Sequence, residues 1–318
     1  MADKEPSLVE FSRQRIEKGS RSFAVAAKLF APTTRDSAYM LYAWCRHCDD
    51  VIDGQALGHI DTTNAAPSGT DALAAVQELK EKTRRACRGD ADEPVFQALA
   101  AVAQKHEIPE KYPLDLIAGF QMDAEERQYN MIEDTLEYCY HVAGVVGVMM
   151  AMVMGVEGKE RAVLNRACDL GIAFQLTNIA RDVIPDHEAG RVYLPEVWLR
   201  EAGLTRASLA EQANRAALAS IARRLLDIAE PYYQSANYGL ADLPLRSAWA
   251  VATALKVYRA IGVEVRRRGA GAWDTRTSTN TLTKLGGVAA GLAIAMHTRG
   301  KAAAGPGYSR SGLWTMQK

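Results

Sequence analysis

Four polar side chains in the stretch YAWCRHCDDVID could do chemistry together: Tyr42, Arg46, Asp49 and Asp53. On an α-helix, at about 100° per residue, they fall within about 60° of one another and form a stripe of one phenol, one guanidinium and two carboxylates. Carboxylates one turn apart repel unless a cation sits between them, and hard divalent cations prefer such oxygen ligands. A solvated helix face with an Arg–Asp pair worth about 0.3–0.5 kcal/mol is the plainer account of the same stripe. Asp50 lies about 100° round from Asp49 and is not expected to be a ligand.

The same stretch holds a C-x-x-C, Cys45 and Cys48. A thioredoxin-like pair would follow a strand and open a helix, and a structural zinc site would need a second pair. Here the motif falls mid-helix with no second pair, so both thiols are expected to pack.

A second acidic stretch, FQLTNIARDVIPD, follows the same logic. Gln175, Asn178, Asp182 and Asp186 fall within about 80° on a helix, with Arg181 about 60° to the other side of Asn178. Pro185 cannot donate to the carbonyl of Arg181, so the helix is expected to weaken or end there, with Asp186 at its mouth. An amphipathic helix would show the same spacing, but the apolar LGIAF before it argues for burial. Two such stripes facing each other could hold Mg²⁺ ions that bridge to a diphosphate, with arginines and tyrosines on the remaining phosphate oxygens. The ions would neutralise charge as a carbon–oxygen bond breaks.

Competing chemistries lack their motifs. There is no G-x-x-x-x-G-K-[ST], H-E-x-x-H, G-x-S-x-G or strand-borne G-x-G-x-x-G, and the histidines His47, His59, His106, His141, His187 and His297 are scattered. Lys plus Arg equals Asp plus Glu at 38 each, which gives no electrostatic case for nucleic acid. Five cysteines and a start without an apolar signal core point to a reducing cytoplasm.

Helical periodicity dominates, and no series of period-two runs appears, so an all-α chain is expected. It predicts helices over 7–28, 35–55, 71–88, 93–106, 112–128, 135–154, 159–183, 195–201, 208–235 and 245–268. The 318 residues, 48% of them hydrophobic, suffice for a large core. The apolar run Val142–Val156 is shorter than the roughly 18–20 residues of a membrane span, so it reads as a buried helix, with a peripheral bilayer contact left open. Gly144, Gly147, Ala151 and Gly155 share one face of it, a groove that suits an isoprenoid chain or close helix packing equally. Residues after about Gly269 drift toward Gly, Ala, Ser and Thr and are expected to hold one short helix at most. The expected organisation is one domain over 1–285 and a loosely structured tail over 286–318. The cluster Arg266, Arg267 and Arg268 reads as a solvated helix end, with contact to anionic lipid as the weaker alternative.

The two acidic stretches, YAWCRHCDDVID and QLTNIARDVIPDHEAGRVYLP, resemble the paired aspartate-rich signatures of the squalene and phytoene synthase family, the head-to-head prenyl transferases. Supporting segments are GSRSFAVAAKLF, YCYHVAGVVGVMMAMVMGV and LPLRSAWAVATALKVYRAIG, and the resemblance covers about residues 8–276. It implies a single-domain isoprenoid synthase fold with helices around a central cavity. Asp49 and Asp53 match the first metal-binding set, and Asn178, Asp182 and Asp186 the second; Asp49, Asp53, Asp182 and Asp186 are thereby the expected catalytic acids. Tyr42, Arg46, Gln175 and Arg181 match diphosphate contacts, as do Tyr258 and Arg276 later in the chain. Gly19, Ser20, Arg21 and Ser22 match a substrate-binding segment, and Tyr138 and Phe23 match cavity-lining positions that suit either core packing or cation shielding.

The implied activity is condensation of two geranylgeranyl diphosphates, through prephytoene diphosphate, to phytoene, with Mg²⁺ or Mn²⁺ and no nicotinamide cofactor. Dehydrosqualene or squalene synthesis from farnesyl diphosphate, the latter with NADPH, is the alternative, and a silent isoprenoid-binding homologue is a third. Expected partners are geranylgeranyl diphosphate, other carotenoid enzymes and the inner face of the membrane, with no nucleic acid.

Overall fold

The computed structural model describes residues 7–19, 27–56, 59–60, 69–278, 281–301 and 308–316. The chain is a bundle of helices. The first is α1 (Leu8–Gly19), followed by α2 (Pro32–Asp53), α3 (Thr70–Cys87), α4 (Pro94–Lys105), α5 (Lys111–Ala124) and α6 (Ile132–Cys139). A π-helical turn, Tyr140–Gly144, joins α6 to α7 (Val145–Val153). Then come α8 (Arg161–Glu188), α9 (Glu196–Glu201), α10 (Arg215–Gly239), α11 (Leu245–Arg268) and α12 (Thr281–Lys301). Among the described residues, extended structure is limited to Gln55–Ala56 paired antiparallel with His59–Ile60.

The helix α2 starts with Pro32 in its first turn, where a missing N–H costs nothing, after an extended Ala31. Leu41, Trp44, Cys48 and Ile52 recur at three and four residue spacings and are buried, which turns the opposite stripe of α2 outward from that core. Asp50 is buried on the side facing α1, with its carboxylate 4.0 Å from Arg15.

The long helix α8 is the hub, packed by α7, α10 and α11. Its contact with the helix before it is backbone on backbone. A Cβ on Gly147 would stand 2.3 Å from the carbonyl oxygen of Ala167, and one on Gly171 would stand 2.2 Å from that of Ala143. The small-residue groove therefore serves close packing at Gly147, although Gly147 and Ala151 also border the cavity described below. Taken with the turns before it, Ile132–Val153 is long and apolar enough to cross a bilayer, but most of it is buried within the bundle.

Two expectations need correction. The helix expected to stop at Val183 runs on as α8 to Glu188, past Pro185; the expected weakening is present, three residues before the proline, where Asp182 leaves helical geometry (φ −105°, ψ 15°). Proline lacks the N–H and crowds the carbonyl of Arg181, so a local break before it is the expected relief, and packing holds the last turn in place. Secondly, the Gly- and Ala-rich residues after 269 form more than one short helix. The 21-residue α12 lies along α11, where a Cβ on Gly291 would meet Thr253 Oγ1 at 2.5 Å and where Trp249 Nε1 donates to Val288 O at 2.8 Å. Small residues that read as looseness in composition are what let these two helices approach.

Residues 308–316 are also docked. Arg310 forms two 2.7 Å bonds to Asp169, a carboxylate with 0% exposure, and the Trp314 N–H donates to Tyr232 Oη at 3.0 Å. The three arginines at the end of α11 are each paired, Arg266 with Asp227 and both Arg267 and Arg268 with Glu264, as a solvated helix end would be.

Candidate active site

The two acidic stripes lie near the C-terminal ends of α2 and α8 and are bridged by Arg191. On α2, Arg46 donates to Asp49 at 2.5 Å and its guanidinium stands 6.0 Å from the centre of the Tyr42 ring. On α8, Arg181 makes a two-pronged bond to Asp182, its Nε at 2.8 Å from Oδ1, and Asn178 donates to Gln175 Oε1 at 3.4 Å. Arg191, in the segment after α8, ties the two together. It donates to Asp53 Oδ1 at 2.5 Å, and its charge acts on Asp49, Asp123 and Asp186.

Burial sets the electrostatics. It pushes the Asp49 carboxyl up to about 6, against the pull of Arg46 and with the push of Asp53. It pushes Asp186 up to about 7, helped by the neighbouring Asp182. A cluster of carboxylates that holds protons this tightly is short of positive charge.

A layer of aromatic side chains backs the cluster. Asp123, on α5, is likewise raised to about 6 by burial and accepts from Tyr138 Oη at 3.1 Å and Tyr193 Oη at 3.0 Å. Those two rings stack with centres 4.4 Å apart. Burial holds both phenols well above their ordinary range, so they remain donors. On the other side, Tyr258 of α11 stacks on Phe174 at 4.1 Å and feels the charges of Arg181, Tyr42 and Asp182.

The acid cluster opens onto an apolar cavity of about 880 Å³. Gln175, Asn178 and Tyr258 border it at the acidic end, and its wall follows one face of α8 back through Phe174, Leu170 and Ala167 to Val163.

Of the residues singled out in the sequence, Tyr42, Arg46, Asp49, Asp53, Gln175, Asn178, Arg181, Asp182, Asp186 and Tyr258 come together here. Gly19 is the last residue of α1. Ser20, Arg21, Ser22 and Phe23 lie outside the described residues. Arg276 is exposed beyond the end of α11 and does not join this network of contacts. Cys45 and Cys48 are free thiols, with burial pushing Cys45 up to about 12 and Cys48 well above its ordinary value, so neither is a ready nucleophile. Among the described residues no three His, Cys, Asp or Glu side chains form a ready-made metal cluster, because the acids are turned onto arginines.

Sequence reasoning passed over Arg191, Asp123 and Tyr193. The available signal was an acid within the apolar LDLIAGFQMD and a lone Arg between two apolar segments in HEAGRVYLP.

Comparison with known proteins agrees with this geometry. The family model described as squalene/phytoene synthase matches residues 16–283. A 15-cis-phytoene synthase of Enterobacter agglomerans is 57% identical over 270 residues, covering 85% of this chain and 90% of its own length. A 15-cis-phytoene synthase from a Paracoccus species is 51% identical over 309 residues, 97% of each chain. Among solved structures, a dehydrosqualene synthase in complex with ligand superposes with a TM-score of 0.80 at 25% identity, covering 91% of this chain and 97% of that one. The chain belongs to the squalene/phytoene synthase family, a family of prenyl transferases built on the all-α isoprenoid synthase fold.

Proposed function

We propose that this enzyme joins two molecules of geranylgeranyl diphosphate head to head, through prephytoene diphosphate, to give phytoene and two diphosphates, the first committed step toward carotenoids. The observation that carries this reading is the junction itself: an acid- and arginine-lined mouth opening into an 880 Å³ apolar cavity, one end suited to a diphosphate and the other to its hydrocarbon. The names of the relatives at 51% and 57% identity support the C20 substrate and the product.

Asp49, Asp53, Asn178, Asp182 and Asp186 fit a hard divalent cation. They offer oxygen donors, Asn178 Oδ1 is buried without a hydrogen-bond partner, and burial already works against the charge on Asp49 and Asp186. When bound, Mg²⁺ or Mn²⁺ would act as a Lewis acid on the departing diphosphate.

The chain's own groups do the rest. Arg46, Arg181 and Arg191 present planar forks suited to phosphate oxygens and are the countercharges of the carboxylates until substrate arrives. Tyr42, Tyr258 and Gln175 orient the diphosphates at the mouth. Breaking the first C–O bond leaves an allylic cation and diphosphate. The double bond of the second substrate attacks that cation, and loss of a proton closes the cyclopropane. A second C–O cleavage, rearrangement and proton loss yield phytoene. No hydride enters this balance, so no nicotinamide cofactor is required. The apolar walls would exclude water from the cations, and the stacked rings of Phe174 and Tyr258, which line the cavity, are suited to shield positive charge.

The test is direct. Purified protein with geranylgeranyl diphosphate and Mg²⁺ or Mn²⁺ should release diphosphate and a C40 hydrocarbon, with no change on adding NADPH. Absence of a C40 product with either metal overturns the reading. Faster turnover of farnesyl diphosphate to a C30 product would favour instead the dehydrosqualene-type reaction, the activity named for the solved structure at 25% identity.

A further inference from the structure

The apolar cavity reaches the protein surface a second time, away from the acids. Lys28, an exposed residue, lines it together with Leu29 and Phe30, and the same cavity is walled by Val251 and Ala254 of α11 and Val288 of α12. Arg246, exposed in the first turn of α11, ties the two sides by donating to Leu29 O at 2.9 Å. The helix α12 is packed by α11 and by the 3₁₀ turn Leu240–Asp242. It turns its smallest residues inward. Gly287, Gly291 and Ala295 are buried, and a Cβ on Gly287 would stand 3.1 Å from Val257 Cγ2, as one on Gly291 would meet Thr253. Those pairings run antiparallel, so Met296 falls beside the first turn of α11. Met296 is 58% exposed, and Leu245, in that turn, is 40% exposed.

The charge on this side has one sign. From Thr275 to Lys318 the chain holds six Lys and Arg and no Asp or Glu, although the whole chain balances at 38 of each. Arg310 is taken by Asp169; Lys284, Arg299 and Lys301 belong to α12, and Lys28 and Arg246 border the opening. Asp242, in the turn that packs on α12, lines a separate surface hollow with Glu160. Exposed apolar side chains flanked by cations fit the interface of an anionic bilayer, where the apolar groups enter the headgroup region and the cations stay with the phosphates. A C40 hydrocarbon that left by the acid- and arginine-lined mouth would strip water from charged groups. At this second opening the wall is apolar.

We propose that residues 28–30, the first turn of α11 and α12 form a docking face for an anionic lipid surface, and that the hydrocarbon product leaves the cavity there, past Leu29 and Val288, into the bilayer. The docking stands on the surface alone, and the exit rests also on the prenyl diphosphate reading above. A bilayer at this face takes up the product without exposing it to water, while the diphosphates leave by the mouth.

The experiment compares the full-length parent with Lys28→Glu, Arg246→Gln and Met296→Asp, each checked for folding by far-UV circular dichroism, on vesicles of phosphatidylglycerol or of phosphatidylcholine. In co-sedimentation without substrate the parent should favour phosphatidylglycerol by about tenfold or more, a preference that high salt removes. Lys28→Glu and Met296→Asp should each weaken that binding by about tenfold, and Arg246→Gln by about fivefold. Release is read as the ratio of the multiple-turnover to the single-turnover rate. Phosphatidylglycerol vesicles should raise that ratio several-fold for the parent and leave it unchanged for the variants, with the single-turnover rate the same in all. A merely structural role would move the single-turnover rate instead. A parent that binds neither lipid, or both equally, and folded variants that bind like the parent, each overturn the docking face. Variants that lose binding but keep the vesicle-stimulated ratio overturn the exit. If Met296→Asp does not fold, Met296→Gln reads the same binding with a smaller loss. A protein that docks through these residues yet makes no C40 product fails the functional reading alone.

Discussion

The two acidic helices meet at one mouth but are built differently. In α2 the stripe of Tyr42, Arg46, Asp49 and Asp53 lies on an unbroken helix, and every residue points where its number dictates. In α8 the chain leaves helical geometry at Asp182, and Pro185 sits inside the turn that follows. Both place carboxylates in their last turns, at the end of a helix whose dipole disfavours anions and favours cations. Two such ends brought together with their acids make a strongly cation-seeking mouth. The difference teaches that α2 is a fixed jaw set by periodicity, while the geometry of α8 is set by a local break.

The sharpest way to break the comparison is to remove one acid from each helix. Asp49→Ala and Asp182→Ala should each lower turnover on the order of a thousandfold while leaving helicity unchanged, measured by product release and circular dichroism. Near-parental activity in either would show that its helix does not serve the reaction. Next, Pro185→Ala restores the missing donor to the carbonyl of Arg181. It should stabilise the protein by roughly 1–3 kcal/mol in denaturant unfolding. If the break at Asp182 places the carboxylate, turnover should fall by about tenfold or more as Asp182 swings round; unchanged turnover would mean that it does not.

A smaller effect concerns pH. Asp49, Asp123 and Asp186 have carboxyls raised to about 6, 6 and 7, above the ordinary value, so the folded protein binds more protons than the unfolded chain between about pH 4 and 7. Their stabilising contribution is therefore present at low pH and lost as pH rises through that window. In chelator the thermal midpoint should be lower at pH 7.5 than at pH 5.5 as far as these groups dictate, and Mg²⁺ should raise it more at the higher pH. Equal Mg²⁺ shifts at both pH values would contradict cation binding by these carboxylates. The least effect belongs to the thiols flanking the α2 stripe: Cys45→Ser and Cys48→Ser should keep turnover within a factor of about two, since both sulfurs are buried or packed and held protonated.

The same contrast explains what could be read from the sequence. The α2 stripe was legible because a regular helix converts spacing directly into direction, and α11 was legible from end to end, Leu245 to Arg268. The last turn of α8 was not, because tertiary packing carries the helix past a proline that local rules would make its end. Asp123 and Arg191 were invisible for another reason. Neither belongs to a charged stripe of its own helix: Arg191 reaches Asp53 across 138 residues, and the fold brings Asp123 within range of both Asp53 and Asp186. The helix α12 was missed because its glycines, which permit contact with α11, count as disorder in any compositional reading.

The Asp169–Arg310 pair has a consequence for the life of the polypeptide as well as for its shape. Asp169 is sealed in the middle of α8, and its countercharge arrives 141 residues later in the chain. A chain that stops before Arg310 would leave that carboxylate buried with the Ser235 hydroxyl but no countercharge from Arg310, at a cost of about 3–5 kcal/mol, a large part of the 5–15 kcal/mol by which a domain is stable. A truncated polypeptide should accordingly be degraded several times faster than the full-length one in pulse proteolysis. Arg310 thus ties the stability of the bundle's central helix to residues 308–316.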